Sequence, residues 1–221
     1  MILHYSRNPN PRLALTVARY LDAPITLHFA EPFHPDQAAK YRALNPSQLI
    51  PILEEPGQPP LWEADAIACR LAMGGDLWPL DRRLPEVIRW ISWGKATFVQ
   101  ACELIHWELG TKQRYGIGPV DWEGVERGLA DFHRSAAQLD AHLKTRDFLI
   151  GALSYADFRM ACFLPYDDVT ELPLADYPAL HSWAQRMADL PFWADPFQGL
   201  DVPPLPPAPP RSSYRRQSPE E

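Results

Sequence analysis

Residues 2–5, Ile-Leu-His-Tyr, form a short apolar run that ends in the polar, proline-broken stretch Ser6-Arg7-Asn8-Pro9-Asn10-Pro11. This is the pattern of a strand followed by a loop. Leu13, Val17, Tyr20 and Leu21 then recur at helical spacing, and Pro11 is well placed at the first helical position. Residues 25–29 read as a second strand, residues 35–44 as a polar helix, and the apolar run opened by Pro51 as a third strand. Leu61 and Trp62 make a short fourth strand, and a helix runs from Ala64 to about Met73. Gly74, Gly75 and the residues through Leu84 form a linker.

From Pro85 the pattern is helical. Ile88, Ile91, Phe98, Cys102, Ile105 and Leu109 fall on one face of a single long helix, with Pro85 at its start and Gly110 at its end. Lys95 occupies a position that this stripe assigns to an apolar residue. Val125, Leu129, Phe132, Ala136, Leu139 and Leu143 form a second, more regular stripe, of the kind that faces a core. Ser154-Tyr155-Ala156-Asp157 has the spacing of a capping box, Asp157 reaching back to the Ser154 amide. Residues 177–190 predict a further helix with Pro178 in its first turn. From Pro203 the chain turns to Pro-Pro-Leu-Pro-Pro-Ala-Pro-Pro and then to Arg, Ser and Glu. A stretch so poor in core-forming residues is expected to be extended polyproline or disordered. The domains predicted are thus residues 1–75, residues 85–200, and a Pro-rich tail over residues 203–221.

Composition narrows the function classes. The chain has 221 residues, 46% hydrophobic and 22% charged, enough for one large or two small globular domains. A net charge of −7 argues against a nucleic-acid partner, which clustered Lys and Arg would serve. No stretch approaches the roughly 20 apolar residues of a membrane span, and the first 20 or so lack the apolar core of a signal peptide. Cys69, Cys102 and Cys162 lie far apart, with no pair at metal-ligand or CxxC spacing. Buried structural thiols, no metal and a cytoplasmic location are the expectations that follow.

Two segments carry the candidate chemistry. In Asn45-Pro46-Ser47-Gln48-Leu49-Ile50-Pro51-Ile52-Leu53 a proline heads the third strand. Proline removes a ladder donor there and tolerates a cis bond; a cis turn would leave the Ile50 amide and carbonyl to pair with an extended peptide. Ten residues on, Glu63-Ala64-Asp65-Ala66-Ile67 puts an acid and a small residue at the mouth of a helix. That setting suits a ligand carboxylate on backbone amides at the positive end of the helix dipole. Ile50, Pro51, Glu63 and Ala64 are therefore the candidate binding residues, for a small peptide.

These two segments resemble the glutathione site of the glutathione transferase family. The resemblance extends to Gly151 with Ser154 and Asp157, to Leu172-Pro173-Leu174, to Tyr177-Pro178-Ala179-Leu180, and to Trp183, Arg186-Met187 and Leu190-Pro191. It covers essentially residues 1–200. It implies a thioredoxin-like α/β domain followed by an all-helical domain, and a homodimer. It further implies glutathione as co-substrate, a small hydrophobic electrophile as the second reactant, and the donor that holds the glutathione thiol as thiolate just after the first strand. In this chain Ser6, Asn8 and Asn10 are the candidate catalytic residues there, with Tyr5 beside them. Aligned on Tyr5-Ser6, Asn10 stands where beta-class members carry a cysteine. Aligned on Pro11-Arg12, Asn8 stands where theta-like members carry a serine, and nu-class members look similar with Thr and Asn at these two positions. Asn10 could donate to the thiolate or merely cap the helix begun by Pro11. Departures from the pattern are the absence of a cysteine in the loop, Ala64 in place of a commoner serine, and Leu49 in place of a polar residue. The implied function is glutathione transfer to an electrophile, or glutathione-dependent reduction of a disulfide or peroxide. The alternative is a non-catalytic binding or regulatory member of the fold.

Overall fold

The computed structural model of the protein describes residues 1–214. It divides into two compact units, Met1–Leu84 with Asp189–Pro204, and Pro85–Ala188 with the chain from Leu205 onward. No helix among the described residues is long and apolar enough to cross a membrane.

The first unit runs β1 (Ile2–Tyr5), α1 (Pro9–Tyr20), β2 (Thr26–Phe29), α2 (Pro35–Arg42), β3 (Ile52–Glu54), β4 (Leu61–Trp62) and α3 (Ala64–Ala72). The sheet order is β2-β1-β3-β4. β1 is parallel to β2, with Leu3 opposite Leu27, and antiparallel to β3, with His4 opposite Ile52. β3 is antiparallel to β4, with Ile52 opposite Trp62. The parallel pair needs a crossover, which α1 supplies, and α1 packs against β1 and α3. Leu3, Leu13, Leu15, Leu53 and Ile67 are fully buried, while the equally buried Ile52 belongs to a separate cluster with Ala30 and Tyr41. This is the thioredoxin-like arrangement that the resemblance implies.

One helix start differs from the sequence reading. α1 begins at Pro9 rather than Pro11, so Asn8, extended at φ −70° and ψ 157°, is the N-cap and Asn10 lies inside the first turn. Pro9 suits the first helical position as well as Pro11 does, and a residue before proline is driven into the extended region. Asn10 therefore does not cap the helix.

The second unit is helical. The single long helix expected after Pro85 is instead interrupted. α4 (Leu84–Ala96) ends at Thr97, α5 (Phe98–His106) follows, a π-turn spans Trp107–Thr111, and α6 covers Lys112–Arg114. Thr97 sits at φ −136° and ψ −95°, outside helical geometry. Its hydroxyl donates to the Trp93 carbonyl at 2.6 Å, a bond that competes with the ladder. The buried positions of α4 are Val87, Ile91 and Gly94, so the stripe runs through Val87 rather than the exposed Ile88, and through Gly94 rather than Lys95. Gly110 does not terminate anything: it lies buried in the π-turn, where a Cβ would meet His106 Nε2 at 2.8 Å.

α7 (Trp122–Leu143) buries Val125, Phe132, Ala136, Leu139 and Leu143 as the second stripe predicts, packed mainly on α5. Asp121 caps it, accepting from the Gly124 amide at 3.1 Å. α8 (Tyr155–Met160) opens with the expected Ser154–Asp157 pairing. The buried Asp157 carboxylate accepts from the Ser154 amide and hydroxyl at 3.0 Å each, the Leu149 amide at 2.9 Å and the Trp183 indole at 3.0 Å. Burial pushes this carboxyl up to about 6, against the downward pull of those donors. The unit continues with α9 (Asp167–Thr170) and α10 (Pro178–Ala188) and ends at a short α11 (Arg211–Tyr214).

Two C-terminal stretches depart from the expected pattern. Residues 189–204, of which the sequence placed 189–200 with the helical domain and 203–204 in the tail, group with the first unit. The Pro-rich stretch has no regular secondary structure over residues 205–210 and then forms α11, and it is tied to the second unit rather than disordered. Arg114 Nε donates to the Pro206 carbonyl at 3.1 Å, and the Glu171 carboxylate accepts from the Ser212 amide and hydroxyl at 2.7 Å each. The Arg211 guanidinium donates to the Glu171 carbonyl, and Tyr214 packs edge-on against Trp122. The partners come from 40 or more residues away in sequence, which local composition cannot reveal. Residues 215–221, also read as disordered, lie outside the described residues.

Candidate functional site

Extending the strand registers by one or two residues brings the predicted segments together. His4 pairs with Ile52 and Ile52 with Trp62, so Pro51 falls between Tyr5 and Glu63, and Ile50 falls beside Ser6. The loop over residues 6–10, the start of β3 and the start of α3 therefore share one end of the sheet.

The Ile50 segment is held by Asn45. This buried side chain donates from Nδ2 to the Leu49 carbonyl at 2.8 Å and accepts from the Ser47 amide and hydroxyl at 3.0 and 2.8 Å. It thus fixes the turn that delivers Ile50 to the sheet end. The Ile50–Pro51 peptide bond is cis. No backbone hydrogen bond to the Ile50 amide or carbonyl is present among the described residues. An unpaired donor and acceptor at a sheet margin can bind an extended peptide by β-type pairing. Leu49 beside it is exposed.

Glu63 is the N-cap of α3 at φ 73° and ψ 126°, a conformation that L residues seldom adopt. Such strain costs about 1–3 kcal/mol and collects at ligand-holding positions. The Glu63 side chain makes no capping bond. Ala64 is buried at the first position of the helix, with Asp65 next. The amides at this helix start suit a carboxylate, while the Glu63 and Asp65 carboxylates suit an ammonium group, so a zwitterionic amino acid end fits both.

The donor loop separates its candidates by accessibility. Ser6 is fully buried, and its Oγ accepts from the Asn8 amide at 3.3 Å. Tyr5 is also enclosed, its ring stacked on Phe197 at 6.3 Å and edge-on to Phe29 at 5.8 Å. Burial pushes the Tyr5 hydroxyl up. Asn8 and Asn10 are half-buried, at the N-cap and in the first turn of α1, and the Asn8 side chain makes no capping bond. Pro9 and Pro11 carry no N–H, so Asn10 supplies the backbone amide of that first turn.

The sequence reading missed the contacts that join α1 and its approach to residues 192–203. Arg7, Arg12 and Arg19 all reach carbonyls of residues 193–203. Arg7 Nε donates to Pro203 at 2.6 Å, Arg12 donates to Trp193, and Arg19 Nη1 donates to Pro196 and Gln198 at 3.0 and 2.7 Å. Each guanidinium also lies over an aromatic ring of the same stretch: Phe197 at 4.2 Å, Trp193 at 5.2 Å and Phe192 at 4.5 Å. Three arginines spaced along one helix and its approach were the available signal, but their partners lie more than 170 residues away.

The protein's own thiols are poorly suited to nucleophilic chemistry. Cys102 and Cys162 are buried in the second unit and Cys69 is half-buried in α3. Burial pushes the Cys69 and Cys102 thiols up, opposite to what a reactive thiolate needs. No group of three or more His, Cys, Asp or Glu among the described residues could hold a metal ion.

Comparison with known proteins agrees with this geometry. Residues 123–186 match the family model for the glutathione S-transferase C-terminal domain. Among curated proteins the chain is similar to elongation factor 1-gamma of Sus scrofa, 28% identical over 148 residues, which is 66% of this chain and 32% of that protein. The chain thus spans about a third of the length of the curated relative it matches. Among solved structures it is similar to a theta class glutathione S-transferase of Xanthomonas axonopodis pv. citri with glutathione bound. That match has a TM-score of 0.75 and 23% identity over 91% of this chain and 97% of the other. Glutathione transferase F7 of Populus trichocarpa superposes with a TM-score of 0.79, at 18% identity over 91% and 99% of the two chains. FzlA of C. crescentus does so at 0.76, with 22% identity over 94% and 95%. With its thioredoxin-like first unit and a second unit in which residues 123–186 match the C-terminal domain model, the chain has the glutathione S-transferase fold.

Proposed function

We propose that this protein binds glutathione at the end of its sheet and holds the thiol as thiolate for attack on a small electrophile. The observation that carries this reading is the unpaired Ile50 backbone lying beside the donor loop and the strained Glu63 helix start. The Ile50 amide and carbonyl would pair with the cysteinyl part of the tripeptide. The Glu63–Ala64 helix start would hold the γ-glutamyl end, its carboxylate on the amides and its ammonium by the acids. The cysteinyl sulfur would then lie toward the N-terminus of α1, near Asn8 and Asn10.

An unperturbed thiol ionises near pH 8.5, so only a few per cent is thiolate at neutral pH. A side-chain amide donates to the anion without itself changing charge. The positive end of α1 favours the same form, and each pH unit of depression corresponds to about 1.4 kcal/mol. Because glutathione brings the nucleophile, proximity and thiolate stabilisation would supply most of the rate. The same thiolate could instead exchange with a small disulfide or reduce a peroxide, and two copies of the chain would form the working unit.

A second reading has its own support. Ala64 offers no hydroxyl, Leu49 is apolar and exposed, and the curated relative bears the name of an elongation factor rather than a transferase. Under this reading the fold serves binding or regulation. Calorimetric titration with glutathione, followed by assays against an aryl halide and hydroxyethyl disulfide, separates the two. Saturable binding with turnover of either substrate supports the enzyme; binding without turnover of either favours the second reading, and no binding removes the glutathione reading.

A further inference from the structure

In the candidate donor loop the Ser6 Oγ accepts from the Asn8 amide at 3.3 Å, and the Asn8 carbonyl accepts from the Arg12 amide at 2.8 Å. What brackets the loop is Phe197. This buried ring stacks on Tyr5 with centroids 6.3 Å apart and carries the Arg7 guanidinium at 4.2 Å on a ring centroid, so both neighbours of Ser6 touch one side chain. Arg7 completes the grip, donating from Nε to the Pro203 carbonyl at 2.6 Å and from Nη2 to Val202 at 3.5 Å. The Phe197 turn is itself fixed by its amide, which donates to Asp195 Oδ1 at 2.9 Å.

We infer that Arg7 is a positioning residue for thiol activation: by pinning the donor loop to Phe197 and Pro203 it sets where Asn8 and Asn10 point. This rests on the glutathione reading above. Arg7 Nε and Nη2 are spent on main-chain carbonyls of the same unit, so its contribution reaches the ligand through the loop. Placement of a donor within a fraction of an ångström governs its catalytic effect, and a planar guanidinium that both stacks and donates fixes orientation better than an ammonium. Arg19 grips the same C-terminal stretch, but from the last turn of α1.

The test compares wild type with Arg7→Met, Arg7→Lys, Phe197→Ala and Arg19→Ala. Backbone amide exchange over residues 6–10 and the steady-state kinetics of glutathione transfer are both read. Arg7→Met and Phe197→Ala are expected to speed exchange in the loop about tenfold. They are also expected to lower kcat about tenfold with KM for glutathione within about twofold, the sign of a lost transition-state contribution. Arg7→Lys should recover part of both effects, and Arg19→Ala should loosen residues 192–198 while leaving the loop and kcat as in wild type. Loop exchange in Arg7→Met equal to wild type overturns the inference, as does a fall in kcat shared equally by Arg19→Ala. Should wild type bind no glutathione, the functional reading fails, while loop exchange still decides whether Arg7 holds the loop.

Discussion

The side chains of the candidate donor loop differ in exposure, and what that difference means for the proposed thiolate can be tested. Ser6 is enclosed and already accepts from the Asn8 amide, whereas the two asparagines retain some exposure at the α1 start. Asn8→Ala or Asn10→Ala should therefore raise the thiol pKa of bound glutathione while barely changing its affinity. Removing a donor aimed at a charge typically costs about 1.5–3 kcal/mol, or ten- to a hundredfold in thiolate population. Ser6→Ala should act mainly on stability. A thiol midpoint moved by Ser6→Ala and by neither asparagine would reverse this assignment. A second residue, His106, makes a prediction away from the site. Burial and the adjacent Arg114 lower its pKa from 6.5 to about 3. The neutral ring accepts from Arg114 Nη1 at Nε2, 3.2 Å away. A group with a depressed folded pKa that is neutral when deprotonated binds fewer protons folded than unfolded. Its contribution is complete above 6.5 and is lost as pH falls toward 3. Between about pH 6 and 4, wild type should lose on the order of 1.4 kcal/mol per pH unit more than His106→Gln in urea denaturation. Parallel pH profiles for the two proteins would contradict it.

At the scale of elements, the fold was legible wherever a pattern is local. The β1–α1–β2 succession, the apolar face of α7 and the Ser154–Asp157 box all follow from periodicity and cap chemistry within a few residues. The Asp157 prediction can now be sharpened, because the structure adds Leu149 and Trp183 to the partners visible in sequence. Asp157→Ala leaves three buried N–H donors, at Leu149, Ser154 and Trp183, without their acceptor. At about 1–3 kcal/mol for each, the loss should be on the order of 3 kcal/mol or more, with glutathione affinity per folded molecule intact. Unchanged stability with lost binding would refute a structural role. The break at Thr97 was not legible because, although its hydroxyl bond to the Trp93 carbonyl is local, a threonine inside a continuous apolar stripe carries no stop signal of its own. The backbone geometry of the two candidate segments was legible because prolines and helix starts have fixed backbone consequences. The arginine grips were not, because each joins α1 or its approach to carbonyls near the far end of the chain.

For the molecule as a whole, the two C-terminal stretches add to units that the pattern would have closed earlier. Residues 189–204 complete the first unit through three arginines, and the chain from Leu205 to Tyr214 is tied to the second through Arg114, Glu171 and Trp122. Deleting residues 205–221 should lower stability by about 1 kcal/mol, the net worth of a typical hydrogen bond or two when others are exposed. No change in the denaturation midpoint would mean that these contacts are energetically idle. The central claim is that the sheet end ionises bound glutathione. The most direct measurement is the ultraviolet thiolate band of bound glutathione, titrated against pH in wild type. Its midpoint should lie at least one pH unit or so below the free thiol's value of about 8.5, with most of the bound thiol ionised at neutral pH. Glutathione that binds but titrates at its free value would contradict the claim.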